Sequence, residues 1–143
     1  MRLTLCKLCS FADRLSSGNP VIFGIFSRMS SGTGFPARLD PCYLVVEIEA
    51  EPIETGSAVP MEIRLLDEDG RILTAWGGDL EFMPSYEAIP SRTFIQLQLP
   101  WDQHFVFNQA GTFRFDVVLR PETEDEQVLG GETLIVHAGP PKP

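Results

Sequence analysis

Between Thr112 and Leu119 the chain reads Thr-Phe-Arg-Phe-Asp-Val-Val-Leu, and this alternation limits the fold more than any other stretch. Successive residues of an extended strand point to opposite faces of a sheet. Phe113, Phe115, Val117 and Leu119 therefore share one face, with Arg114 and Asp116 on the other. One face is apolar and needs cover. The same period of two returns at 43–50, with Leu44, Val46 and Ile48 inward and Glu47 and Glu49 outward. It recurs at 61–66, with Met61, Ile63 and Leu65 inward. At 93–99 it puts Ile95, Leu97 and Leu99 inward and Gln96 and Gln98 outward. Further strands are expected at 2–11, 21–26, 71–76, 80–82 and 132–137.

Turn signals separate these runs, in a chain of 143 residues with 12 Gly and 12 Pro. Glu68-Asp69-Gly70 is a hairpin signal, because Asp-Gly readily supplies positive φ. Gly24 inside a strand points to a bulge or a close backbone approach. Gly77-Gly78 should break or bulge the strand returning from 71. Residues 30–34 read as a flexible loop, and 84–90, bracketed by prolines, has room for one helical turn at most. No amphipathic helix of useful length is present. The expected fold is all-β: an antiparallel two-sheet β-sandwich, Ig-like or C2-like, of eight or nine short strands. A barrel is the lesser alternative. Residues 1–138 are read as a single β-sandwich domain and 139–143 as a Pro-rich C-terminal tail.

A chain of this length buries roughly 70% of the surface its unfolded form exposes, so neither metal nor disulfide is required. The net charge of −9 repels phosphate backbones and anionic membrane surfaces, so neither nucleic acid nor membrane is an expected partner. Residues 1–9 briefly resemble a signal peptide, but Lys7, Asp13 and Arg14 interrupt the apolar run. No stretch has transmembrane length. The expected location is cytoplasmic, where three cysteines stay reduced.

Each candidate chemistry has an ordinary structural explanation beside it. Cys6 and Cys9 form a C-x-x-C, yet strand positions three apart face opposite sides, and zinc needs two further ligands. Cys42, His104 and His137 are scattered, so buried thiols are the better reading. Asp67-Glu68-Asp69-Gly70 and the acidic run 122–126 offer hard oxygens for calcium. A hairpin turn and a solvated loop explain the same residues. Trp101, Phe105 and Phe107 stand near Asp102, Gln103, His104 and Asn108, a composition able to stack and hydrogen-bond a sugar. Aromatics of a sandwich more often fill its core. No G-x-S-x-G is present, and neither histidine has a nucleophile context. No catalytic, cofactor-binding or metal-ligating residue is accordingly expected, and no cofactor.

Leu8-Cys9, Val21-Ile22-Phe23-Gly24-Ile25-Phe26-Ser27-Arg28, Phe35-Pro36, Asp67-Glu68-Asp69-Gly70-Arg71 and Gln109-Ala110-Gly111-Thr112-Phe113-Arg114-Phe115 follow in order across nearly the whole chain. Together they resemble a bacterial and phage family of single-domain β-sandwich proteins known only as a domain of unknown function. The resemblance implies the sandwich and a cytosolic setting, and brings no activity, cofactor or catalytic residue. Ser10 departs from the family pattern, which often has an acid after the cysteine, and the loop at 83–92 is individual.

The expected function is a non-catalytic protein–protein interaction or assembly module, through a sheet face or an edge strand. Phe26 and Arg28, beside the loop at 30–34, form the expected contact patch, against the plainer reading of a core Phe and a solvated Arg. The expected partner is another protein or a second copy. The alternatives are a module binding carbohydrate or calcium, with Trp101, Phe105 and Phe107 as the stacking residues, and an enzyme of unknown type.

Overall fold

A computed structural model describes residues 1–17, 19–32, 34–82 and 89–139. Nine strands form among them: β1 Arg2–Arg14, β2 Pro20–Phe26, β3 Arg28–Ser31, β4 Cys42–Ala50, β5 Val59–Leu66, β6 Ile72–Leu80, β7 Ser91–Leu99, β8 Gly111–Leu119 and β9 Gln127–Ala138. A short 3₁₀ turn, Pro52–Glu54, joins β4 to β5. One sheet has the order β2-β1-β4-β7 and the other β3-β9-β8-β5-β6. The inward residues expected from alternation meet in one intersheet core, built on Leu44, Val46, Ile48, Met61, Ile63, Leu65, Leu97, Phe115, Val117 and Leu119.

The all-β sandwich therefore holds, with one correction to its wholly antiparallel reading: β3 pairs parallel to β9, from Arg28 opposite Ile135 to Ser31 opposite Ala138. The cause is a change of sheet. Strand β2 belongs to the four-stranded sheet, and one residue later β3 belongs to the five-stranded one. Ser27 makes the crossing, and its carbonyl accepts from the Ile135 amide at 2.8 Å. Ser30 and Ser31, expected in a flexible loop, thus lie in a strand. Ser31 is buried, with its hydroxyl donating to the His137 carbonyl at 3.3 Å.

Glycines account for further differences. Gly77 and Gly78 do not interrupt β6, which pairs with β5 on both sides of them. The Trp76 indole occupies the space over Gly78, where an added Cβ would lie 2.8 Å from the ring. Residues 81–82 form no strand of their own, and β6 ends at Leu80. Strand β9 runs through Gly130 and Gly131, beyond the expected 132–137. Gly131 meets the Phe115 carbonyl so closely that a Cβ would sit 1.9 Å away. Gly24 has φ +66° and lies against Ser10 with no register shift between β1 and β2, so it marks a close approach and not a bulge. The helical turn considered for 84–90 falls mostly outside the described residues, as does most of the tail.

The four-stranded sheet bends in a way that alternation does not announce. Phe94 is level with Leu5 through Glu47, and Gln96 with Lys7 through Val45. Yet the Gln96 amide donates to the Ala12 carbonyl at 2.7 Å, and the Arg14 guanidinium donates to the Phe94 carbonyl. A strand advances about 3.3 Å per residue, so a straight β1 would carry Arg14 ~30 Å beyond Leu5. The distal half of the β1–β2 hairpin must therefore fold back across the sheet's outer face. A second apolar cluster lies beneath it: Cys9, Ala12 and Val45 are buried, with Leu5, Ile22, Tyr43 and Phe94 against them. Arg14 also sits 5.1 Å over the Phe94 ring.

Candidate functional site

The sequence proposed two groups of residues, and the structure places them at different points. Trp101, Phe105 and Phe107 belong to the segment between β7 and β8. Phe107 is fully buried, with its ring 4.7 Å from that of Phe113 and 5.0 Å from that of Phe105. Trp101 meets Phe115 edge-on at 5.9 Å and donates its indole N–H to Thr74 Oγ1 at 3.0 Å. The three rings are partners of the core. Truncating a buried Phe to Ala costs about 3–5 kcal/mol, so Phe107 is held by packing whatever else it does.

Beside them opens a cleft of about 470 Å³, lined by Leu73, Phe105, Phe113, Asp67, His104 and Asn108 among others. Its acids are occupied locally. Asp67 Oδ1 accepts from the Asp69 and Arg71 amides, both at 2.9 Å, and so closes the β5–β6 turn. Asp102 Oδ1 accepts from the His104 amide at 2.9 Å. Next to the cleft, Glu68 Oε1 accepts from the Thr112 amide at 2.7 Å.

The acidic run after β8 is likewise tied down. Glu126 takes a bidentate pair from Arg64 at 3.0 and 3.1 Å, and Glu126 Oε2 accepts from the Glu122 amide. Arg64 holds the Glu126 carboxyl below the usual carboxylate range. Among the described residues, no group of three or more His, Cys, Asp or Glu side chains is arranged to hold a metal ion.

Phe26 and Arg28 flank the sheet crossing at Ser27. Phe26 is half-buried against the intersheet core, and Arg28 is exposed. The structure thus sends the first of the pair inward.

A different surface stands beside them, on the same hairpin. Ala12 and Ile22 face the sheet below, so their neighbours Phe11 and Phe23 point away from it, as the pleat requires. Phe11 is 47% exposed and Phe23 61%, and their rings lie 6.1 Å apart as a cross-strand pair. Ile25, 61% exposed, and Leu15, 55% exposed, stand on either side. Large apolar side chains at this exposure, gathered on one element, mark contact surfaces more often than isolated ones do. The signal was present in the sequence. Residues 20–26 carry no charge at all, and Phe11 and Phe23 stand symmetrically about the turn at 15–19.

The thiols belong to the interior. Cys6 and Cys42 lie in the intersheet core, Cys42 opposite Leu99 on the neighbouring β7, and Cys9 lies in the outer cluster. Burial pushes Cys6 and Cys42 up to about 12 and also raises Cys9.

The profile of a family of unknown function (DUF6941) matches residues 5–129. No curated protein matches the chain. The matched span runs from Leu5, within β1, into β9, and includes the paired part of the β1–β2 hairpin from Leu8 to Phe26.

Proposed function

The chain belongs to the DUF6941 family, and from that premise we propose that it is a non-catalytic interaction or assembly module whose docking element is the β1–β2 hairpin. The observation that carries this reading is the exposed Phe11–Phe23 pair on a hairpin whose outer strand is an open sheet edge. An edge strand offers unpaired N–H and C=O groups to an incoming strand, and neighbouring apolar side chains add burial and selectivity. Aromatic anchors of this kind dominate interface energetics.

The non-catalytic part of the reading is supported by the cleft, where Asp67 and Asp102 already serve the loop backbone. Three buried free thiols fit a reducing, cytosolic setting. Among the described residues no helix is long and apolar enough to cross a membrane. The charge of −9 favours protein partners over nucleic acid.

The test is capture of partners by the tagged chain from the cell that encodes it. Capture lost in Phe11→Lys/Phe23→Lys and kept in His104→Ala supports the reading. Capture lost only in His104→Ala moves the function to the cleft. That second reading, a small ligand such as a carbohydrate, is favoured by the cleft's volume, which falls within the usual size of small-molecule sites. An oligosaccharide at about 100 times its dissociation constant adds roughly 2.7 kcal/mol of stability, visible as a raised melting midpoint.

A further inference from the structure

The sandwich has four sheet edges, and β2 differs from the other three. Strand β3 is four residues long and begins with Arg28. Strand β6 carries Asp79. Strand β7 carries Arg92, which is paired with Glu49 at 3.0 Å, and its Thr93 hydroxyl donates to the Glu81 carbonyl. Charges on edge strands discourage unwanted pairing. Strand β2, Pro-Val-Ile-Phe-Gly-Ile-Phe, has none.

We infer that β2 pairs antiparallel with β2 of a second copy of this chain, joining the two four-stranded sheets into one. The inference rests on the reading of the hairpin as the docking element and names what docks there. The strand is close to self-complementary. Phe23 is the midpoint of Pro20–Phe26, and a two-fold axis through it sets Phe23 against Phe23, Val21 against Ile25 and Ile22 against Gly24. Every opposed pair is uncharged, although each chain carries −9. Of the four edge strands, β2 alone carries no charged residue, so no register of two β2 strands brings a charged side chain of the strand into the interface. The assembly closes at two copies, because a two-fold uses the same patch on both and leaves the joined sheet ending in the guarded β7 strands.

Electrostatics give this interface a signature. Two chains of −9 repel each other, and salt screens that repulsion, with a Debye length of about 8 Å at physiological ionic strength. Self-association therefore strengthens as salt is added. A basic partner drawn by the acidic field weakens instead.

The test is sedimentation equilibrium of the full chain over a range of concentrations and salt. The expected result is a monomer–dimer equilibrium that tightens with salt. Phe23→Lys, which sets like charges on the axis, should weaken it at least tenfold while the circular dichroism spectrum stays that of the wild type. Phe23→Cys should give a disulfide-linked dimer on mild oxidation, since the native thiols are buried. A dimer that persists in Phe23→Lys and does not cross-link in Phe23→Cys overturns the inference. So does a chain that stays monomeric throughout. If that monomer still captures another protein through Phe11 and Phe23, self-pairing fails and the interaction reading stands. If it captures nothing, both fail.

Discussion

Cys6 and Cys9 stand three apart on one strand, and the pleat sends their thiols into different clusters on opposite faces of the sheet. Alternation alone forecasts that separation, and it removes any chelating or redox pairing. Native protein should therefore leave all three cysteines unmodified by a thiol reagent on the timescale of mixing, and denaturant should release all three together. A thiol that reacts in the folded protein would show that one of these clusters is open.

Asp116 marks where single-residue reading stops. It faces outward as expected, yet it is buried. Arg114, two residues away on the same face, covers it with two bonds at 2.6 and 2.9 Å. Polarity shows which face a residue takes, but burial on that face depends on what lies across it. Phe26 shows the same limit. Its place beside Arg28 in the sequence looks like one patch, and the sheet crossing at Ser27 separates them.

The β1–β2 hairpin is the element whose course the sequence does not reveal. Its strands were legible from composition, and three apolar residues in succession, Leu44-Val45-Val46, signal a strand buried on both faces. What covers the second face is a long-range matter, set by how far β1 twists beyond Cys9. The Arg14–Phe94 and Gln96–Ala12 contacts hold the folded-back end. Gln96→Leu removes one of them, a loss of about 1 kcal/mol for a single hydrogen bond. Amides at 10–24 should then exchange faster with solvent, while those of β5 and β8 keep their protection. Retained protection in β5 and β8 also reports that the substituted chain keeps its fold. Uniform acceleration across the chain would mean that the hairpin is not a separate unit of opening.

For the molecule as a whole, ion pairs and thiols set opposite ends of the pH range. Arg92 and Arg2 lower Glu49, the N-terminal ammonium lowers Glu54, and Arg64 lowers Glu126. A carboxylate depressed in the fold stabilises it above the unfolded value, about 4.3 for Glu, and that contribution is lost as pH falls through the folded value. A thiol raised in the fold acts at the other end. Its contribution is complete below the unfolded value of about 8.5 and is lost as pH rises towards 12. The melting midpoint should therefore form a plateau across neutral pH, fall in acid below about 4 and fall in base above about 9. Cys6→Ser tests the basic arm only if its fold is retained, so Cys42→Ala serves as the companion variant. A midpoint that keeps rising above pH ~9 would contradict the buried thiols.

At this scale the sandwich was legible because alternation repeats from strand to strand and each repeat independently demands a covered face. The proposed docking surface was legible only in part: residues 20–26 show no charge, but an exposed Phe and a core Phe look alike until the hairpin's bend is known. The measurement that reaches this claim most directly is amide hydrogen exchange of the full chain, dilute and concentrated, read peptide by peptide. The account predicts that concentration slows exchange at 20–26 and leaves the segment around the cleft, 100–110, unchanged. Slowing centred on 100–110, or none at 20–26 when the chain associates, would contradict it.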